Sequence, residues 1–198
     1  MEIKQIRMGI VGAGTWGRTH ASIYAEHLFA DPVAICDMNE ARAREIADEF
    51  GIRKVYTDYH DMAADEEIDA VAIVTPDFAH ADIACAMADA KKDILIEKPL
   101  ATTKEDIARI CEAVERNGVR CMVDLHNRWN PPFNTAKQEI SSGKLGKPYT
   151  AYLGLASFLH SEEMTPALFV IVRRLSAIQY WVPIFITRYE LPSLSVVR

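Results

Sequence analysis

The feature that most constrains this chain is a short apolar segment that runs directly into three glycines spaced G-x-G-x-x-G, at Gly12, Gly14 and Gly17. The first glycine of such a motif permits a tight strand-to-helix turn, the second lets the backbone approach a pyrophosphate, and the third lets the helix pack against the strand. Amides at the helix N-terminus then face the phosphates. The motif predicts a dinucleotide site that includes Thr15 and Trp16, although three close glycines also serve an ordinary turn.

An acidic residue stands where such a site holds the adenosine ribose. A second apolar segment, 32–36, ends at Asp37, about 20 residues beyond the last glycine, where a carboxylate accepts hydrogen bonds from both ribose hydroxyls. We therefore expect NAD as the cofactor. NADP is the disfavoured alternative, because Met38 and Asn39 follow Asp37, where an NADP site usually has Arg or Ser.

Apolar segments alternate with amphipathic ones up to about residue 123, which is the pattern of a parallel sheet covered by helices on both faces. Strands are predicted at 6–11, 32–36, 70–75, 93–96 and 119–123. Helices are predicted at 16–29, 39–50, 79–91 and 103–117, the last with Thr102 or Thr103 as its N-cap. The fold class is therefore α/β, with a doubly wound Rossmann domain over residues 1–123.

The character of the sequence changes after Val123. A turn-rich segment, 124–132, precedes a predicted helix at 133–142 and a predicted long strand at 148–158. This pattern indicates entry into a second, α+β domain over residues 124–198.

Two neighbouring strands of the predicted sheet deliver polar residues to its carboxyl edge, where open α/β sheets bind their ligands. The segment 70–74 is apolar throughout, as expected of a strand buried on both faces, and Thr75 and Pro76 follow it. The next strand delivers Glu97 and Lys98. This pair either belongs to the ligand crevice or is a solvated ion pair that ends a strand.

Charge and patterning exclude several classes of function. The net charge of -6 and the isoelectric point near 5.5 leave no basic stripe for a phosphate backbone, so we expect no nucleic-acid partner. The N-terminus lacks the apolar core of a secretory signal, so a cytoplasmic location is expected. The stretch 167–186 has membrane-spanning length, but Arg173, Arg174, Gln179 and Pro183 interrupt it, so no membrane segment is expected.

The four cysteines are scattered, at positions 36, 85, 111 and 121, without a C-x-x-C pair. Each lies in an apolar strand or helix, so we expect buried, reduced thiols. No histidine or cysteine stands at a short ligand spacing from them, and no metal is expected.

Six short pieces of the sequence resemble the Gfo/Idh/MocA oxidoreductases, a family that includes glucose-fructose oxidoreductase and inositol dehydrogenase. They occur in the family's order over residues 6 to about 153, and the E-K-P-L piece is the most diagnostic. The pieces are 12–17, Asp37, 74–80, 97–100, 128–131 and 143–148.

The resemblance implies a dehydrogenase that moves hydride between NAD and a carbon bearing a secondary hydroxyl, on a sugar, inositol or related polyol. Lys98 would lie beside the nicotinamide and the substrate hydroxyl as the catalytic residue, because a partly desolvated lysine can donate to the reacting oxygen. Glu97 would fix its loop. Family members also form homo-oligomers through the sheet of a C-terminal domain.

Further cofactor contacts are expected around the same cleft. Thr75 and Pro76 would line its nicotinamide side, and Trp16 either covers the pyrophosphate or packs against the crossover. His80 either lines the cleft or packs the helix that it begins. Arg128 lies where the family contacts cofactor or substrate, with packing between the domains as the alternative.

The C-terminal part departs from the family pattern. The D-x-x-x-H element that completes the family's active site is absent, because no aspartate follows Asp124 and the only later histidines are His126 and His160. The composition also changes after about residue 155, which indicates a shortened or altered chain: a displaced reading frame, a fragment or a short paralogue, with an incomplete second domain. We therefore expect impaired activity, and a non-catalytic dinucleotide-binding or regulatory module is the alternative function.

Overall fold

The computed structural model describes residues 4–143, 146–158, 165–174 and 184–186, with side chains described for 4–143 and 146–148. The chain divides into two compact units, Met1–Leu125 and His126–Arg198. The first unit carries every predicted site residue except Arg128.

The first unit is built on a six-stranded parallel sheet with the strand order β3-β2-β1-β4-β5-β6. Its strands are Ile6–Val11 (β1), Ala30–Cys36 (β2), Lys54–Tyr56 (β3), Ala70–Ile73 (β4), Asp93–Glu97 (β5) and Cys121–Asp124 (β6). Its helices are Thr15–Glu26 (α1), Glu40–Phe50 (α2), Tyr59–Ala63 (α3), His80–Asp89 (α4) and Lys104–Asn117 (α5). The chain starts in the middle of the sheet and proceeds outwards in both directions, so the predicted doubly wound α/β fold is confirmed.

Hydrophobic side chains cover both faces of this sheet. Successive residues of a strand point to opposite faces, and Ile10 accordingly packs in a cluster with α1 and α2, whereas Val11 packs in a second cluster with α3, α4 and α5. Val71 and Ile73 of β4 are fully buried in the second cluster, and Ala72, which points to the opposite face, is fully buried as well. The apolar run in β4 is therefore explained by helices packed on both sides of it.

The sequence pattern does not predict two of the elements, because both are short. β3 has three residues and α3 has five, too few to show a period of two or of 3.6. Helix α1 ends at Glu26, three residues before its predicted end. Helix α5 begins as predicted: the Asp106 N–H donates to Thr103 Oγ1 at 3.0 Å, so Thr103 is its N-cap.

The cysteines are less uniformly buried than expected. Cys36 is buried and Cys85 and Cys121 are half-buried, but Cys111 is exposed on α5, so the expectation of a buried thiol is wrong there. Burial raises the pKa of Cys36 to about 12, so this thiol stays protonated at neutral pH.

The second unit begins with a 3₁₀ turn, His126–Arg128, followed by helix Pro131–Ser141 (α6). α6 starts two residues before its predicted start, because proline suits the first helical turn, where its missing N–H leaves no bond unmade. An antiparallel sheet in the order β7-β8-β9 follows, from Pro148–Phe158 (β7), Thr165–Arg174 (β8) and Ile184–Ile186 (β9). The long strand predicted at 148–158 is confirmed.

The apolar stretch 167–186 forms strands where it is described. Phe169 of β8 pairs with Phe185 of β9, and residues 175–183 lie outside the described residues. Across the described parts of the chain, no helix is both long enough and apolar enough to cross a membrane.

Candidate functional site

The glycine turn between β1 and α1 is packed so closely that two of its three glycines cannot carry a side chain. Gly12 has φ +110°, and a Cβ there would lie 2.8 Å from the carbonyl oxygen of Val74. A Cβ at Gly17 would overlap the carbonyl oxygen of Gly12. A Cβ at Gly14, in contrast, would meet no protein atom within 4 Å. The backbone at Gly14 is therefore open to close approach by a ligand.

Helix α1 starts immediately behind this turn. Gly14 is its N-cap, and Thr15, Trp16 and Gly17 form its first turn, whose N–H groups have no acceptor within the helix. That turn carries no acidic side chain, so the positive end of the helix dipole is not neutralised from within the turn. The Trp16 side chain is half-exposed. The geometry suits an anion such as a pyrophosphate.

Asp37 follows β2 and turns its carboxylate towards the glycine turn. The Ala13 N–H donates to Oδ2 at 2.7 Å, and the Asn39 N–H donates to Oδ1 at 2.8 Å. These two bonds fix the carboxylate, and each oxygen keeps a lone pair that can accept from a hydroxyl. The acid predicted to bind a ribose thus lies directly beside the turn predicted to bind phosphates.

The residues after β4 and β5 meet at the carboxyl edge, because these strands are parallel neighbours with Ile73 paired to Ile96. Thr75 Oγ1 is buried at this edge and has no hydrogen-bond partner among the described residues. A buried hydroxyl without a partner costs free energy, which a ligand that bonds to it recovers. Pro76 follows and is exposed.

His80 links the loops that follow these two strands. Its Nδ1 lies 2.9 Å from the carbonyl oxygen of Pro99, and its Nε2 lies 3.0 Å from the carbonyl oxygen of Thr75. The side chain is 1% exposed, so both ring nitrogens face the backbone and neither faces solvent. This geometry supports the packing role for His80, because the ring joins the backbone of Thr75 to that of Pro99.

Glu97 and Lys98 point in different directions at the end of β5. Glu97 is buried, whereas Lys98 is exposed at the sheet edge. The Lys98 N–H donates to Glu97 Oε2 at 3.1 Å, and the Lys98–Pro99 peptide bond is cis. The alternative of a solvated ion pair is therefore wrong for Glu97, whose carboxylate is an internal acceptor for the loop.

Glu97 belongs to a buried polar cluster that the sequence reasoning missed. His20 Nε2 lies 3.5 Å from Glu97 Oε1 and 3.9 Å from Asp124 Oδ2, and His20 Nδ1 lies 3.0 Å from Tyr24 Oη. The ligand atoms of His20, Glu97 and Asp124 all lie within 4.8 Å of one another, which makes this the one potential metal-binding group among the described residues. Burial, together with the negative charges of Asp124 and Glu97, raises the pKa of Tyr24.

Two signals in the sequence could have revealed this cluster. Asp124 is the last residue of β6 and pairs in register with Glu97, so the rule that parallel strands end at one edge applies to both acids. His20 lies three residues after Gly17 and four before Tyr24, on one face of α1. The sequence pattern predicts strand β6 only as far as residue 123, one residue short of Asp124.

Arg128 lies in the 3₁₀ turn of the second unit. Its contact with cofactor or substrate stays a prediction. His126 lies in the same turn, and His160 lies outside the described residues.

Comparison with known proteins shows which family this chain resembles in sequence. Residues 6–125 match the family described as "Oxidoreductase family, NAD-binding Rossmann fold". Inositol 2-dehydrogenase of Salmonella typhimurium is 36% identical over 146 residues, which cover 72% of this chain and 44% of that protein. The scyllo-inositol 2-dehydrogenase (NAD(+)) of Bacillus subtilis is 35% identical over 167 residues, which cover 84% of this chain and 48% of that protein.

Solved structures give the same grouping. Scyllo-inositol dehydrogenase from Lactobacillus casei, with bound NAD(H) and scyllo-inositol, superposes with a TM-score of 0.73 at 27% identity, over 77% of this chain and 45% of that one. The WlbA dehydrogenase from Bordetella pertussis, in complex with NADH and UDP-GlcNAcA, gives 0.71 at 32% identity, over 76% and 46%. The chain spans about half the length of the curated relatives it matches. On its matched residues, its glycine turn and its parallel sheet, the chain belongs to the Gfo/Idh/MocA family of oxidoreductases with an NAD-binding Rossmann fold.

Proposed function

We propose that the first unit binds NAD(H), and that the protein to which this chain corresponds is an NAD-dependent oxidoreductase acting on the CH–OH group of an inositol, a sugar or a related polyol. The observation that carries the proposal is the position of Asp37, which is held by the Ala13 N–H beside the glycine turn. This hydrogen bond joins the turn proposed to bind the phosphates to the acid proposed to bind the ribose.

The residues present suit a dinucleotide and favour NAD over NADP. The N–H groups of the first turn of α1 would hold the pyrophosphate, and Asp37 would accept from the adenosine ribose hydroxyls. A 2′-phosphate in that position would meet the Asp37 carboxylate, and Met38 and Asn39 supply no positive charge to offset the repulsion. The buried Thr75 hydroxyl would lie on the nicotinamide side.

Lys98 is the residue that we expect to act on the substrate hydroxyl. Bound NAD supplies the carbon that accepts the hydride. The exposed Lys98 ammonium at the carboxyl edge would donate to the substrate hydroxyl oxygen and orient it. The hydroxyl proton must leave as hydride is transferred, and the family's D-x-x-x-H element is absent after Asp124. Turnover by this chain is therefore expected to be slow.

The absence of that element favours a second function, that of a non-catalytic dinucleotide-binding or regulatory module. A panel of inositols and sugars, incubated with the chain and NAD, separates the two by the appearance of reduced nicotinamide. The enzyme proposal predicts turnover of at least one polyol, reduced about 100-fold or more by Lys98→Met and unchanged by Lys104→Met at an exposed lysine on α5. NADH binding without any turnover would support the regulatory module instead.

A further inference from the structure

A chain of contacts leads from helix α1 to the peptide nitrogen of Lys98. Tyr24 Oη lies 3.0 Å from His20 Nδ1, and His20 Nε2 lies 3.5 Å from Glu97 Oε1. The other Glu97 oxygen, Oε2, accepts the Lys98 N–H at 3.1 Å. Asp124 Oδ2 lies 3.9 Å from the same His20 nitrogen. The buried cluster therefore ends on the backbone of the residue assigned to the substrate hydroxyl.

We propose that His20 is a positioning residue for Lys98: it lies between the carboxylates of Glu97 and Asp124 and so holds Glu97 where its second oxygen anchors the Lys98 peptide. The inference rests on the proposed function, in which Lys98 orients the substrate hydroxyl beside the nicotinamide. It adds to that function a group that touches neither cofactor nor substrate.

The physical reason is repulsion between two carboxylates that water screens poorly. The side chains of His20 and Glu97 are each 8% exposed, and that of Asp124 is 20% exposed. Like charges this close repel strongly where the dielectric constant is low. A lone pair on His20 Nε2 would face two carboxylate acceptors, so the tautomer that suits this position carries its proton on Nε2 and places a donor between the two acids. Without it, Glu97 would face Asp124 directly, and we expect the Glu97 side chain to turn away and release the Lys98 N–H.

Helix α1 supplies the ring in a fixed orientation. Tyr24 is one turn beyond His20 on the same face, and the two rings meet edge-on with centroids 5.6 Å apart. The Tyr24 hydroxyl occupies Nδ1, which leaves Nε2 to face the acids. Gly17, one turn before His20, lies against the carbonyl group of Gly12. One helix thus presents its N-terminus to the phosphates and also positions the loop that carries Lys98.

The test measures amide hydrogen exchange at Lys98 in the free protein, residue by residue, by NMR. His20→Ala is expected to accelerate Lys98 exchange about 10-fold or more, because the bond to Glu97 Oε2 opens. The Asn39 amide, which donates to the Asp37 carboxylate at the same edge of the sheet, is the internal control and should not change. Unchanged exchange at Lys98, or equal acceleration at Asn39, would overturn the proposal.

Two further variants distinguish the charge argument from simple packing. His20→Gln keeps a donor near the position of Nε2 and should restore slow exchange. Asp124→Asn, added to His20→Ala, removes the like charge at constant shape and should also restore most of the protection. If neither restores it, His20 acts by packing alone and the proposal fails. Should His20→Ala not fold, His20→Leu fills the space without a donor and carries the same expectations.

A chelator arm and a cofactor arm complete the experiment. Histidine with two carboxylates also ligates divalent cations, so acceleration of wild-type Lys98 exchange by EDTA would reassign the cluster as a cation site and overturn the proposal. In the NADH complex, His20→Ala should change the fluorescence of the bound dihydronicotinamide. The affinity for ADP-ribose, which lacks the nicotinamide, should stay the same. Unchanged fluorescence would contradict the positioning role. Failure of the wild type to bind NADH would refute the proposed function, which the exchange data do not depend on.

Discussion

At the scale of single residues, the glycines of the glycine turn are needed for two different reasons, although the residue type is the same at all three positions. Gly12 and Gly17 are required by close packing within the protein, whereas Gly14 leaves room for something outside it. The G-x-G-x-x-G pattern predicts all three positions, and in the structure close packing accounts for Gly12 and Gly17, whereas Gly14 has open space beside it. Stability and ligand binding can therefore be tested at different glycines of one motif.

Gly17→Ala is expected to destabilise the fold, and Gly14→Ala is not. A Cβ at position 17 overlaps the Gly12 carbonyl, and overpacking of this kind costs about 1 to 3 kcal/mol. A Cβ at position 14 meets no protein atom within 4 Å, but it stands where a pyrophosphate would approach, so this variant should bind NADH at least about 10-fold more weakly. Urea unfolding and an NADH titration of both variants check this. Equal loss of stability in the two would contradict the assignment.

At the scale of elements, short segments and side-chain clusters are where prediction from sequence ends. β4 is recognisable because both of its faces are apolar, and the meeting of Thr75 and Glu97 follows from the order of parallel strands. β3 could not be predicted, because three residues are too few to show a period. The cluster around His20 joins α1, β5 and β6, which lie far apart in the sequence. The edge rule for parallel strands brings Glu97 and Asp124 together, but no local pattern places His20 of α1 beside them.

β3 is anchored by an ion-pair and hydrogen-bond group that gives a pH-dependent stability. Asp65 Oδ2 accepts from Lys54 Nζ at 2.7 Å and from Tyr56 Oη at 2.8 Å, both on β3. The hydrogen bond from Lys54 is the main cause that lowers the pKa of Asp65 from 3.8 to about 2, aided by the Glu67 N–H. Because the folded-state pKa is depressed, this contribution is fully present above about pH 4 and is lost as pH falls towards 2.

Asp65→Asn should therefore lower the free energy of unfolding at pH 7 by about 1 to 2 kcal/mol, reduced from the full linkage value because solvent screens the partly exposed lysine. The difference from wild type should shrink as the pH approaches 2. Asp48→Asn, at an exposed acid on α2, is the control and should cost little at either pH. A constant difference between pH 7 and pH 2 would show that charge is not the cause.

At the scale of the whole molecule, the residues proposed to bind the cofactor, apart from Arg128, lie in the first unit. The Gly12, Asp37 and Glu97 positions could be placed from sequence because each lies at the end of a parallel strand, and such ends converge by topology. Substrate choice could not be predicted from the sequence. In the family that this chain resembles, the D-x-x-x-H element completes the site from the second domain, and the residues after Asp124 contain no match to it. The α6 helix and β7 are predictable as elements, yet they carry no assigned chemistry.

Calorimetric titration with NADH and NADPH examines the proposal that the first unit holds NAD(H) through the glycine turn and Asp37. The wild type should bind NADH with a Kd on the order of micromolar, and NADPH more weakly. Asp37→Ala should weaken NADH binding about 10-fold or more, while Asp48→Ala leaves it unchanged. If the folded wild type does not bind NADH, or if Asp37→Ala binds it with equal affinity, the proposed cofactor site is wrong.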